Sequence, residues 1–250
     1  MSEQKMINFN KVSKNYERKI ALSSLSFMVE HGEMIAIIGP SGAGKTTLLN
    51  LLASILEPDE GEIMIDDRPI AHYADQKKRA KKIGIIRQQF DLVGQLAVIH
   101  NVLAGRLADW GFFKSLFSLF IPQEKEHATK ALKRVGLADK QFERTSNLSG
   151  GEQQRVALAR LLMQKPEIIL ADEPVASLDP ARAEDILQML TEIAKEDKQT
   201  VIASLHSVEY AKKYFTRLIA LKNGKILFDL PANEVTNEQL NELYQLKELT

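Results

Sequence analysis

Nine consecutive residues constrain this 250-residue chain more than any other stretch: Gly39-Pro40-Ser41-Gly42-Ala43-Gly44-Lys45-Thr46-Thr47. The apolar run Met34-Ile35-Ala36-Ile37-Ile38 precedes them and is long enough for one buried strand. Leu48-Leu49-Asn50-Leu51-Leu52-Ala53 follows and favours helix. Strand, glycine-rich turn and helix start together make G-x-x-x-x-G-K-[ST], the P-loop arrangement. Gly42 and Gly44 have no Cβ, so the backbone can curl round an anion and point its N–H groups inward. The helix N-terminus adds partial positive charge. On this reading Lys45 reaches the β- and γ-phosphates of a nucleotide, and the Thr46 hydroxyl sits on Mg²⁺.

Composition removes several other classes. Basic and acidic residues number 33 each, so the net charge is zero and nonspecific nucleic-acid binding is disfavoured. There is no cysteine, hence no disulfide framework and no cysteine–metal site. The polar start Met1-Ser2-Glu3-Gln4-Lys5 does not look like a signal peptide. No apolar run approaches the roughly 18–20 residues of a membrane helix. The expectation is one soluble, cytoplasmic domain over residues 1–250, able to attach to a membrane through a partner.

In chain order, Ile7–Val12 and Leu25–Val29 are expected as strands, with Tyr16 in a polar turn, and Glu60–Asp67 as a further strand. These suggest a small antiparallel sheet against the nucleotide core. Lys77-Lys78-Arg79-Ala80-Lys81-Lys82 is taken as a solvated helix face. Ile83–Ile86 is a buried strand ending in Arg87-Gln88-Gln89, and ligands sit at such strand ends in open α/β sheets. From about residue 92 to 165 helical periodicity takes over, as in Lys125–Val135 and Glu152–Met163, which suggests an inserted helical lobe. Within it, residues 110–120 hold the only tryptophan and four of the ten phenylalanines, as lobe core or as a docking patch. Ser149 is a good helix N-cap, and Gly150-Gly151 at that helix start make either a capping turn or a second anion nest. Ile168–Ala171 ends in Asp172-Glu173, adjacent carboxylates that are costly on a core strand unless they serve something. After a P-loop this is the Walker B element, with Asp172 towards Mg²⁺ and Glu173 towards the attacking water. A buried strand, Thr200–Leu205, delivers His206 to the same edge, as a structural histidine or a γ-phosphate contact. Asn223-Gly224 marks a hairpin between Leu218–Leu221 and Lys225–Phe228, and a short helical tail follows from Pro231.

Assembled, these residues strongly resemble the ATPase subunit of ABC transporters over nearly the whole chain. Leu148-Ser149-Gly150-Gly151-Glu152-Gln153 looks like the signature that separates this family from other P-loop NTPases. The resemblance implies an α/β fold, with a RecA-like P-loop NTPase core, an N-terminal antiparallel β subdomain and an inserted α-helical lobe. It implies ATP and Mg²⁺ as cofactors. It gives Tyr16 as the aromatic that stacks on adenine, residues 39–47 as the phosphate cradle and Gln88 as the Q-loop glutamine that senses Mg²⁺ and the γ-phosphate. It makes Asp172 a Mg²⁺ positioner, Glu173 the residue that polarises water, Asp179 part of the D-loop and His206 the switch histidine. Ser149, Gly150 and Gly151 would contact ATP held by the other subunit of a head-to-tail homodimer.

Two departures stand out. Arg87 occupies a position commonly aromatic, so the Q-loop glutamine is Gln88 or Gln89. The D-loop runs Ala176-Ser177-Leu178-Asp179 where Ser-Ala-Leu-Asp is commoner. Gln88–Val93, the aromatic insert and Ala171–Asp179 are similar to phosphonate-importer ATPases. That resemblance implies membrane-permease partners, an extracytoplasmic binding protein acting indirectly, a place on the cytoplasmic membrane face, and phosphonate or a related phosphorus oxyanion as cargo. The alternatives are a soluble ABC ATPase in a non-transport assembly, such as one cleaving carbon–phosphorus bonds, and an importer ATPase for another solute.

Overall fold

The computed structural model describes residues 5–17, 19–118, 121–176 and 178–244. β1 (Lys5–Tyr16), β2 (Lys19–Glu30), β4 (Glu60–Ile65) and the short β5 (Arg68–Pro69) form an antiparallel sheet in the order β2-β1-β4-β5. Its inward face follows from alternation: Leu25, Phe27 and Val29 of β2 are buried and the residues between them exposed. Phe27 stacks on Phe9 of β1 at 4.5 Å between ring centroids. Tyr16 is not in a turn, as its polar surroundings suggested; it is the last residue of β1, paired with Lys19. β4 ends at Ile65, two residues short of the expected strand, because Asp66 and Asp67 both take left-handed backbone conformations in the turn to β5.

β3 (Met34–Ile38) lies inside the second sheet, ordered β10-β9-β3-β8-β7-β6. After β3 come α1 (Lys45–Leu52), α2 (Gln76–Lys82), β6 (Ile83–Ile86), α3 (Val98–Leu103), α4 (Phe112–Ser118), α5 (Lys125–Arg134) and α6 (Gly150–Gln164). The chain then runs through β7 (Ile168–Asp172), α7 (Pro180–Glu196), β8 (Thr200–Ser204), α8 (Val208–Tyr214), β9 (Arg217–Lys222), β10 (Lys225–Pro231) and α9 (Asn237–Tyr244). Strands β9, β3, β8, β7 and β6 are parallel, and β10 joins β9 antiparallel through the Asn223-Gly224 turn. Asn223 and Gly224 are both left-handed, as such a two-residue turn requires. Every residue of β3 is buried. Its Met34, Ala36 and Ile38 join one apolar cluster with the helices after β6, and Ile35 and Ile37 join a second with α1 and the antiparallel sheet. The two-residue period of a strand thus places β3 between two cores.

Between β6 and β7 the regular elements among the described residues are all helices, apart from an isolated bridge, Ala97 to Arg144. The aromatic stretch at 110–120 divides. Trp110 is 4% exposed in the core, with its indole N–H donating to Glu124 Oε1 at 3.1 Å, whereas Phe113, Leu116 and Phe117 are exposed. Leu119 and Phe120 lie outside the described residues. The basic run of α2 is a solvated face at Lys77, Lys78 and Lys81. Lys82 departs from that expectation: it is buried and ion-paired with Asp66 and with Glu167, the latter at 2.5 Å, so it pins the β4–β5 turn to the approach of β7. Among the described residues no helix is long and apolar enough to cross a membrane.

Candidate active site

Glycine placement shapes the loop after β3. A Cβ on Gly39 (φ 149°) would lie 2.2 Å from the Leu221 carbonyl oxygen, and one on Gly44 (φ 108°) 2.6 Å from the Ala21 carbonyl oxygen. Both positions therefore exclude a side chain by packing as well as by conformation. Gly44 precedes α1 without a side-chain cap, which leaves the amides of the first turn open to an anion. Lys45 is 5% exposed and folds back over the loop, its Nζ donating to the carbonyls of Gly39 at 2.8 Å and Pro40 at 3.2 Å. Burial pulls its pKa down, and the nearby Glu173 and Asp172 charges oppose that pull. A cavity of about 290 Å³ opens over the loop, lined by Tyr16, Lys19, Ser41, Lys45, Thr46 and Glu173 among others. The aromatic, the phosphate cradle and one carboxylate expected to act together thus share one space.

Strand register builds the acidic end. Asp172 closes β7 directly beside Ser204 of β8. The Ser204 hydroxyl donates to Asp172 Oδ1 at 2.7 Å and accepts from the Glu173 N–H at 2.9 Å. Thr46 Oγ1 donates to the same Asp172 oxygen at 3.3 Å. Glu173 is left-handed (φ 50°), a strained backbone for a non-glycine residue, and the Ser204 bond holds it. His206 Nε2 lies 2.5 Å from Glu173 Oε1. Thr46 and Asp172 also line a second cavity of about 400 Å³ with Arg87, Gln88 and Gln89, so both glutamines face it. Among the described residues no three His, Cys, Asp or Glu cluster as metal ligands. One carboxylate, one hydroxyl and a nearby amide suit Mg²⁺, which takes few protein oxygens and completes its shell with phosphate and water.

The Ser149–Gly151 segment is elsewhere. Ser149 and Gly151 line a separate cavity of about 230 Å³ with Arg155 and Arg182, and none of the segment's three residues lines the P-loop cavity. Ser149 caps α6 in a reciprocal box with Glu152. Lys140 first, then the Ser149 N–H and hydroxyl, hold the Glu152 carboxyl down at about 2. A Cβ on Gly150 would meet nothing within 4 Å, so no contact inside this chain explains that glycine. Asp179 caps α7, its carboxylate accepting from the Arg182 N–H at 3.1 Å. Ser177 of the D-loop lies outside the described residues.

Three residues of this region were not singled out from sequence. Ser204 carried a signal, being a polar residue inside the apolar run Val201–Leu205. Lys19 reaches the cavity only because the β1–β2 hairpin pairs it with Tyr16. Arg160, deep in α6, donates to the Phe90 and Asp91 carbonyls beyond Gln88.

A family model described as ABC transporter matches residues 22–176. The chain belongs to the ABC transporter family. Its relatives include phosphonates import ATP-binding protein PhnC 1 of Pseudomonas syringae pv. tomato, 46% identical over 92% of this chain and 88% of the relative. PhnC 3 of Halalkalibacterium halodurans is 42% identical over 97% of this chain and 95% of its own length. PhnC of Escherichia coli O157:H7 is 40% identical with the same two coverages. Among solved structures, the dimeric post-hydrolysis state of the ATP-binding cassette MJ0796, bound to ADP and Pi, superimposes with a TM-score of 0.78. It is 32% identical and covers 91% of this chain and 99% of that one. The cassette cbiO1 of the cbiONQ transporter complex from Clostridium perfringens gives 0.80 at 27% identity, covering 96% and 94%. This ABC chain is an ATPase with the cassette fold expected from its sequence.

Proposed function

We propose that this chain is the ATP-hydrolysing subunit of an ABC importer for phosphonate or a related phosphorus oxyanion, working as a head-to-tail homodimer on membrane permease subunits. One observation carries the chemistry: Lys45, Thr46 and Glu173 line one cavity with Tyr16, and Asp172 and His206 stand behind it, bonded to Thr46 and Glu173 respectively. Tyr16 stacks on adenine. Lys45 leaves the Gly39 and Pro40 carbonyls for the β- and γ-phosphates, exchanging two neutral acceptors for charged ones. Thr46 and Asp172 would hold Mg²⁺, and Gln88 lines the same neighbouring cavity as both. When bound, Mg²⁺ neutralises charge on the phosphate oxygens. Glu173 polarises the attacking water, and His206 both orients that carboxylate and contacts the γ-phosphate. Ser149, Gly150 and Gly151 serve the partner's ATP, in keeping with their absence from the lining of this chain's own P-loop cavity and the empty space before Gly150. The substrate class and the permease, binding-protein and membrane-face assignments are supported by the likeness to the PhnC proteins.

The test has two arms. Purified wild type should hydrolyse ATP with Mg²⁺, and Glu173→Gln should bind ATP while turning over slower by about two orders of magnitude or more. Cells lacking the gene should fail to grow on a phosphonate as sole phosphorus source, yet grow on phosphate. Wild type should rescue them and Glu173→Gln should not. Turnover of Glu173→Gln at the wild-type rate sinks the mechanism. Normal growth of the deletion strain in the absence of a second importer sinks the cargo.

A further inference from the structure

The turn that carries Gln88 is held by a residue of another element. The Phe90 N–H donates to the Arg87 carbonyl at 2.9 Å, closing a tight turn over Gln88 and Gln89. The chain then passes through two consecutive left-handed residues, Phe90 (φ 49°) and Asp91 (φ 47°). Neither is glycine, and a bulky aromatic in this conformation is a strained position that its surroundings must enforce. The enforcing group is Arg160 of α6. Its Nη1 donates to the Asp91 carbonyl at 2.8 Å and its Nη2 to the Phe90 carbonyl at 2.9 Å. Among the described residues no carboxylate forms an ion pair with Arg160. Burial lowers its pKa, and only the charge of Asp91 acts the other way. A desolvated cation without an ion pair is costly. This one directs both arms of its fork at one strained turn, which is a geometric task suited to a rigid planar guanidinium.

Arg160 also lies ten residues after Gly150 on the same helix, about 15 Å along its axis. One side chain therefore ties the Gln88 turn, which faces the Thr46–Asp172 cavity, to the helix that begins with Ser149–Gly151. We propose that Arg160 is a positioning residue for hydrolysis, holding Gln88 at its own nucleotide site and making the Gln88 turn move with the helix that serves the partner's site. This rests on the reading of Gln88 as the Mg²⁺ and γ-phosphate sensor.

The experiment is a double-mutant cycle on the full chain with Arg160→Lys and Gln88→Ala, reading kcat, KM for ATP and the affinity for a fluorescent ATP analogue. Lysine keeps the charge but loses the rigid planar fork that aims one nitrogen at each carbonyl. Arg160→Lys should lower kcat about tenfold or more while nucleotide affinity stays within about twofold, and the double variant should be no slower than Gln88→Ala alone. If Arg160→Lys melts early, Arg160→Gln, which sheds the charge and keeps an amide donor, is put through the same cycle at a temperature where it is folded. Wild-type kcat in the Arg160 variant beside an impaired Gln88→Ala overturns the role of Arg160 alone, as do losses that multiply in the double variant. Wild-type kcat in Gln88→Ala overturns the reading of Gln88 and with it this proposal.

Discussion

Replacing Ser204 by alanine removes one hydroxyl and two bonds on which the acidic end of the site depends. Asp172 Oδ1 loses its 2.7 Å donor and keeps only the longer contact from Thr46 at 3.3 Å. The Glu173 N–H loses its 2.9 Å acceptor, and with it the bond that stabilises a left-handed backbone. A hydrogen bond to a charged acceptor contributes about 1.5–3 kcal/mol. The left-handed conformation costs roughly 1–2 kcal/mol by itself. The Glu173 carboxylate should therefore leave its working geometry by an amount worth about 2 kcal/mol, equivalent to roughly 30-fold in kcat. The phosphate cradle does not involve Ser204, so ATP affinity should hold within about threefold. Steady-state ATP hydrolysis beside a fluorescent-nucleotide titration separates the two, and thermal melting should show a loss of a few degrees from the missing bonds. A folded Ser204→Ala protein with a turnover within about threefold of wild type would refute the argument that this hydroxyl positions Glu173.

Further substitutions test other parts of the same picture. Lys45→Ala deletes the cation that now rests on the Gly39 and Pro40 carbonyls, and equilibrium titration should show ATP affinity falling roughly 10–100-fold. Glu152, held at about 2 against an ordinary 4.5, stabilises the fold fully above the ordinary value and loses that contribution as pH falls between the two. The gap in urea midpoint between wild type and Glu152→Gln should accordingly close across that window. Trp110→Ala should destabilise by about 3–5 kcal/mol in denaturant titration, whereas Phe117→Ser, on the exposed part of the same stretch, should stay within about 0.5 kcal/mol. Gly39→Ala should disrupt the loop against Leu221, but Gly150→Ala should melt like wild type and lose turnover.

What could be read from the sequence was chemistry set by neighbours in the chain. The loop at 39–47 declares itself because conformation, close packing and anion binding all act within a few residues. The same holds for Asp172-Glu173 at a strand end and for Ser149 as the cap of the helix it opens. Residues whose partners are chosen by strand order were harder to see. Ser204 meets Asp172 only because β8 lies beside β7, and Arg160 meets Phe90 and Asp91 across about 70 residues. Lys82 was hidden in a run of identical charges, and only the two acids that converge on it make it a buried lysine. Composition gave the aromatic stretch no division, because Trp110 and Phe117 differ in what the fold offers them and not in type.

Gly150 has a genetic consequence. Its own chain makes no packing demand at that position, so a variant there should be synthesised, folded and accumulated normally. If two copies close on each other, such a chain enters pairs with wild type as readily as wild type does. In a cell expressing both alleles equally, mixed pairs outnumber either pure kind, and each mixed pair keeps one complete nucleotide site and one without its facing glycine. The growth of that strain on the transported nutrient would show whether one competent site suffices for a cycle. A substitution of Gly39 cannot ask this question, because it disturbs the loop of its own chain as well as the pair.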